Sequence, residues 1–401
     1  MRPGPSTPAA PRNEIFGSPT ALSVAWQVLG SSATLGSAMW VSWRMGLPAQ
    51  GEFGFAKSWF DAGAAMAALG LPQGLLHLQY RLKVPTSALL QWLARTLLGL
   101  AVAAVIAAGA MLILQNRIVA AVLVSLPFAV GHLLARSMLL VQRGVVVFGI
   151  ITALPSVLVL AGVVAYGMLG HATDFDVLLL VAAALSGSVS VGMAWHSAGR
   201  PRPDPWSRQE LWQISLQSWL QGALGALLVA GLLSTVKWAG RGGSELGAAS
   251  LGLHLYQLFA VAAGYMAPLL FDRLAKQDRP ALGNWPPLAV RAAVVMLLLA
   301  LAGIAVSVVE PAWSAWLLPM SLMLPAGVAA IAARIGGTVL LARSAYTELS
   351  FQAAWRLALA MALTAIALQW LAAAAAVALA MLVVELVTWW RAAALGRVAA
   401  A

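Results

Sequence analysis

Gln213, Gln217 and Gln221 follow one another at four-residue intervals inside a charge-free run from Leu211 to Val236. On a helix that spacing puts three amides on one face. They are neutral donors and acceptors of the kind that suit sugar hydroxyls without burying charge. Ser23, Gln27, Ser31 and Thr34 make a similar face near the start of the chain, and His254 stands one turn from Gln257 in a later apolar run. Trp219, beside the glutamines, offers an indole on which a sugar ring would stack. Arg95 and Arg136 lie about two turns inside apolar stretches. A guanidinium at such depth matches a pyrophosphate, which it grips through paired hydrogen bonds. Asp61 and Glu385 are the carboxylates read as lying within apolar runs, and either would hold a coupling proton or Na⁺.

Each of these residues also has a plainer reading. Amides and hydroxyls bond across helix interfaces without touching a substrate, and Gln213 lies close enough to a span end to be interfacial. Arg95 and Arg136 have stems long enough to snorkel to the membrane surface. Asp61 has Lys57 four residues before it, the spacing of an ion pair on one helix face. Glu385 has Arg391 within reach of the same surface. The inner members Gln217 and Gln221, with Gln27, His254 and Gln257, are the neutral residues expected to line a cavity.

The elements that must position these groups are membrane helices. Hydrophobic residues make up 61% of the 401 and charged ones only 9%, with a mean hydropathy of +0.87. That is more apolar surface than a water-soluble core can use. The charge-free runs are each near the ~20 residues that cross a ~30 Å hydrocarbon layer, and the ~10-residue alternation of an outer-membrane barrel is absent. The sequence predicts an all-α polytopic membrane protein of about twelve spans: 21–44, 54–79, 88–113, 118–141, 145–169, 177–198, 212–236, 247–270, 289–309, 313–336, 351–368 and 371–390. Residues 351–391 contain neither Gly nor Pro. As one helix they would run ~60 Å, about twice the hydrocarbon thickness, so a tight turn is placed near Gln369-Trp370.

Net charge is +11. With both termini inside, Lys and Arg concentrate on the cytoplasmic connections, leaving only Arg44, Lys57, Arg117, Lys237 and Arg241 on the other side, the bias that sets topology. No basic cluster interleaved with aromatics suggests nucleic acid. There are no cysteines, which removes disulfides and thiolate chemistry, and the five histidines show no four-residue pairing that would hold a metal. No nucleotide-binding Gly-x-x-x-x-Gly-Lys occurs, and no cofactor is implied. Met1–Arg12 reads as a Pro-rich cytoplasmic tail rather than a cleaved signal.

The chain repeats itself. Glu52-Phe53-Gly54-Phe55-Ala56 opens an apolar stretch closing on Pro72, Arg81, Lys83 and Pro85. Roughly half the chain later, Glu245-Leu246-Gly247-Ala248-Ala249 opens another, closing on Pro268, Arg273, Lys276 and Pro280. This predicts two six-helix lobes related by a parallel repeat, an arrangement recurrent in carriers. The N-terminal lobe is 1–198 and the C-terminal lobe 212–401. Between them, 199–211 is a Pro-rich basic connector in which alternating prolines favour an extended strap.

The run from Trp43 to Ala56, with its Gly46-Leu47-Pro48 turn and Glu52-Phe53-Gly54-Phe55-Ala56, resembles the first extracytoplasmic loop and second-helix start of Wzx-type polysaccharide flippases. These belong to the multidrug/oligosaccharidyl-lipid/polysaccharide exporter superfamily. There the turn reads Leu-Gly-Pro, and Tyr is usual where this chain has Phe55. Leu69-Gly70-Leu71-Pro72-Gln73-Gly74-Leu75 is similar to that family's second-helix ending, and Glu245–Ala249 to its eighth-helix start. The resemblance implies a cavity lined by helices 1, 2, 7 and 8 that opens alternately to each side. It also implies an isoprenoid-pyrophosphate-linked oligosaccharide, of the O-antigen or lipopolysaccharide kind, moved across a bacterial inner membrane alongside polysaccharide-assembly partners. Two other functions compete: a drug or cation exporter of the same superfamily, which would need more buried carboxylates, and a membrane glycosyltransferase or polymerase. The latter would need paired carboxylates and a large soluble loop. Reporter fusions after Leu169 and Trp238 should read outside and a fusion after Ala401 inside; an external C-terminus would remove the twelve-span arrangement.

Overall fold

The computed structural model describes residues 19–169, 174–199, 206–275, 287–342 and 346–398. The Met1–Arg12 tail, connector residues 200–205 and His171 lie outside them. Among the described residues the regular elements are thirteen helices: α1 (Pro19–Met45), α2 (Leu47–Ala67), α3 (Leu71–Tyr80), α4 (Thr86–Ile113), α5 (Arg117–Arg143), α6 (Val145–Leu169), α7 (Phe175–Ala198), α8 (Arg208–Trp238), α9 (Ser244–Ala275), α10 (Pro287–Val309), α11 (Pro311–Ala342), α12 (Tyr346–Ala367) and α13 (Ala373–Val398). Eight of them, α4 to α8 and α11 to α13, are long and apolar enough to cross a membrane. α1 and α2 are not in that set because polar residues interrupt them.

Thirteen helices make twelve spans because the second span is broken. Leu69 and Gly70 both take positive φ, 48° and 70°, a left-handed turn that ends α2 and starts α3, with Pro72 in the first turn where no amide hydrogen is needed. The span also begins earlier than residue 54. Gly46, at φ 88°, makes the whole turn after α1, and Pro48 fits the first turn of α2. Gln50, Gly51 and Glu52 are therefore helical rather than loop. The turn expected near Gln369-Trp370 is present between α12 and α13. Asn116 and Ser207 cap α5 and α8, accepting from the Val119 and Glu210 amides at 3.2 Å each.

Two lobes result. In the first, α1 packs along α6, and α5 along α4 and α7; in the second, α9, α10 and α13 surround α11, while α12 packs on α8 and α13. α8 is shared between them. It begins at Arg208, inside the stretch read as connector, and its first half is embedded in the first lobe. There Leu211 is fully buried with Leu75, Leu78, Leu134 and Met138, and Trp206 meets Trp92 edge to face at 5.9 Å. Its second half puts Leu228, Leu232, Leu233 and Val236 into the core of the second lobe.

α2 and α3 run along the seam, α2 touching both α8 and α9 and α3 touching α8. At one end the Gln50 amide donates to Ser250 Oγ at 3.1 Å, and the Lys237 ammonium lies 4.2 Å from the Phe55 ring centroid. At the other, His77 Nε2 and Glu210 Oε1 are 3.6 Å apart. Backbone approaches backbone most closely at Gly247, where a Cβ would fall 2.6 Å from the Leu47 carbonyl carbon. Backbone there cannot swing aside. Gly247→Val should destabilise the protein by ~1–3 kcal/mol, the scale of overpacking, read as a lower unfolding temperature in detergent. Gly225→Ala, where a Cβ meets open space, should be neutral or up to ~1 kcal/mol stabilising.

Candidate functional site

The polar face of α1 is built by its own spacing. The Gln27 amide donates to Ser23 Oγ at 3.2 Å, Ser31 Oγ donates to the Gln27 carbonyl at 3.1 Å, and Thr34 Oγ1 donates to Ser156 Oγ of α6 at 2.9 Å. These groups open onto a cavity of about 250 Å³ at the lobe seam. Gln27, Ser31 and Thr34 face Lys57 and Asp61 of α2, Thr152 and Ser156 of α6, and His254 and Gln257 of α9. A second cavity of about 300 Å³ lies inside the first lobe. It shares Lys57, Asp61, Thr152 and Ser156 with the first and adds His132 and Arg136 of α5 and Ser186 of α7.

The hydrogen-bond partners settle what the two histidines present. His254 Nδ1 lies 2.7 Å from the Ser250 carbonyl oxygen, which can only accept, so Nδ1 carries a proton and, in the neutral ring, Nε2 is the acceptor. Its ring stacks on Phe53 of the first lobe, centroids 6.2 Å apart. His132 follows the same logic. Ser190 Oγ donates to the Ser186 carbonyl at 2.6 Å and so accepts from His132 Nδ1 at 2.8 Å. Arg136 is half-buried, with its guanidinium carbon 5.3 Å from the Phe148 ring centroid. Lys57 Nζ and Asp61 Oδ2 are 2.6 Å apart where the cavities meet. The ensemble holds two fixed cations, one carboxylate and a belt of neutral donors and acceptors. It suits an anionic group attached to a hydroxyl-rich body.

Of the residues singled out by sequence, the structure brings Gln27, Asp61, His254, Gln257 and Arg136 to these cavities. It places the others elsewhere. Arg95 is exposed on α4 and lines neither cavity. Gln217 is exposed and Gln221 half-buried on α8, and neither lines either of these two cavities. The wall that the resemblance assigned to the seventh span is supplied by α6. Trp219 lines neither cavity: its indole N–H donates to the Met66 carbonyl at 3.0 Å, satisfying an acceptor at the end of α2 and tying α8 to α2.

Glu385 meets neither Arg391 nor the interface. It is fully buried in the second lobe, paired with Arg356 and accepting from the Tyr256 hydroxyl at 2.6 Å; Arg391 pairs with Glu348 at 3.4 Å instead. This cluster links α9, α12 and α13, and the Arg356 guanidinium occupies the place a coupling cation would take. Sequence reasoning missed Arg356, Lys57 as a cavity residue, and His132. The available signal was their depth: each stands more than two turns inside an apolar helix. Removing one partner of a buried pair strands the other. Arg356→Ala should cost ~3–5 kcal/mol in detergent unfolding, whereas Arg356→Met with Glu385→Leu should recover most of it, because no charge is then left alone.

No protein-family model matches the chain, and no curated protein matches it by sequence. Solved structures do match. An inward-facing multidrug resistance MATE family transporter of the MOP superfamily aligns with TM-score 0.67 at 12% identity, covering 94% of this chain and 97% of that one. An outward-facing conformation of such a transporter aligns at 0.58 and 14%, covering 96% of each. The chain has their fold. A MOP superfamily transporter from Pyrococcus furiosus, described as having a binding pocket of reverse polarity that suggests a different function, aligns at 0.58 and 13%, with 96% of each chain covered. At these identities the likeness is one of architecture: two helical lobes with a cavity between them.

Proposed function

We propose that this protein is a carrier that moves an isoprenoid-pyrophosphate-linked oligosaccharide from the cytoplasmic to the periplasmic leaflet of a bacterial inner membrane. It does so by alternating access between its lobes, with both termini in the cytoplasm. The observation that carries this reading is the pair of cavities, one at the seam and one inside the first lobe, that share Lys57 and between them set Lys57 and Arg136 among amides and hydroxyls. A pyrophosphate must leave water to cross, and fixed cations replace its hydration. Gln27, Ser31, Thr34 and Gln257 offer the neutral partners that saccharide hydroxyls require. The fold shared with transporters captured inward- and outward-facing supports alternation. Enzymes that build and polymerise the saccharide are the expected partners.

A cation exporter is the second reading, favoured by one residue: the Asp61 side chain is 51% exposed in the cavity and would attract a cationic drug. Lys57 beside it cancels that charge, and Arg136 tips the balance to positive.

Reconstitution into liposomes decides between them. A fluorescent farnesyl pyrophosphate should cross in proteoliposomes, followed by dithionite quenching, while a neutral farnesyl analogue and a cationic dye should not. Arg136→Ala should slow crossing about tenfold or more, the scale of one charge-assisted hydrogen bond of ~1.5 kcal/mol, whereas Arg95→Ala should match the wild type. Crossing no faster than in protein-free liposomes, or crossing of the dye alone, would overturn this function.

A further inference from the structure

Lys57 and Asp61 are the charged residues that line both cavities, so they stand at the junction between them. Their charged atoms are 2.6 Å apart, yet their environments differ: the lysine side chain is only 12% exposed and the aspartate 51%. Helix stabilisation does not account for the pair. The lysine precedes the acid by four residues, the weaker order for such a bridge, and a lysine serving only the fold would carry its charge to a helix end rather than the middle of a span. The other groups facing this point from neighbouring helices are Arg136 and His132 of α5, His254 of α9, and hydroxyls of α1 and α6. Among the described residues lining the two cavities, Asp61 is the sole carboxylate. The lysine is held from one side by its own helix, and the side facing the cavity is where an incoming anion would meet it.

We propose that Asp61 is an internal stand-in for the anionic group of the cargo. The inference rests on the reading that the cargo carries a pyrophosphate. In the empty carrier Asp61 occupies Lys57, so the seam closes over a neutral pair rather than a bare ammonium. When cargo enters, a phosphate oxygen takes the place of the carboxylate on Lys57, and Asp61 turns to the water that already reaches it. Two consequences follow. The cargo must bring its own negative charge to displace a carboxylate, so a neutral glycolipid is refused. The empty return step also depends on Asp61, because without it the closing cavity would trap an uncompensated cation. Asp61 therefore competes with cargo for binding and yet is required for turnover.

These opposite effects make the test. Binding is measured with farnesyl pyrophosphate, and crossing with its fluorescent form in proteoliposomes. Net movement into a leaflet free of the lipid is compared with exchange against unlabelled farnesyl pyrophosphate loaded there. Asp61→Asn should tighten binding up to ~5-fold, the scale on which a partly solvated ion pair competes, slow net movement, and leave exchange near the wild-type rate, since exchange never passes through the empty carrier. Asp61→Glu should restore net movement. Lys57→Gln should weaken binding whether or not Asp61 is also changed. Asp61→Ser repeats the comparison if the asparagine variant does not fold. Unchanged or weaker binding by the Asp61 variants, or a parallel fall of net movement and exchange, would overturn the stand-in role while wild-type crossing left the cargo assignment intact. If the wild type neither binds nor moves farnesyl pyrophosphate, it is the cargo assignment that fails.

Discussion

Lys57 carries an ammonium ten residues into α2, ~15 Å along the helix at the usual rise, in a chain whose composition belongs to a hydrocarbon layer. A charge left bare at such depth costs several kcal/mol, and much of the seam is arranged around avoiding that. Asp61 lies one turn further on. α1 turns its hydroxyls and Gln27 toward the same point, α6 adds Thr152 and Ser156, and α9 adds His254 and Gln257. The price is paid in hydropathy: α1 and α2 fall outside the set of helices that pass for ordinary membrane spans.

The same helix also has to hold the lobes together. α2 reaches α9 with small residues and Gln50 at one end, and reaches α8 through Met66 and the turn at Leu69-Gly70 at the other. Its closest contacts are backbone against backbone, where shape governs, and the polar cavity lies between them. Contacts across the seam are largely neutral hydrogen bonds, ring contacts and glycine approaches, each modest in energy, as the proposed alternating access requires. The strongly paired charges of the second lobe, Arg356 with Glu385, are kept away from the seam, inside that lobe.

Much of the architecture was legible because membrane helices declare themselves by length and by freedom from charge. The hairpin between α12 and α13 followed from length alone, since 41 residues without a break cannot lie in one span. The start of α2 was misplaced because Gly-Leu-Pro looks like a loop when the proline sits, in fact, in a first helical turn. At the site, the four-residue period of α1 falls on a cavity-lining face, and that of α8 does not fall on either cavity described. A four-residue repeat says that Gln213, Gln217 and Gln221 share a face but not which neighbour that face meets; the first lobe captured the inner half of α8. Arg95 and Arg136 have the same depth on the page and opposite fates in space, because α4 is peripheral and α5 is central. Depth in a span marks a residue as unusual, and only packing says what it touches.

The division of α8 between two cores bears on how the chain comes apart. Leu211, Trp206 and Trp212 are anchored with the first lobe, while Leu228 to Val236 are anchored with the second. A cut in the connector would therefore not release two finished halves. The C-terminal fragment would carry a protruding helical plug, and the N-terminal fragment the empty socket that Leu211 fills. Co-expressed fragments divided there have a built-in means of finding each other, and a fragment ending before the connector would be left with an open apolar socket and would be unstable alone.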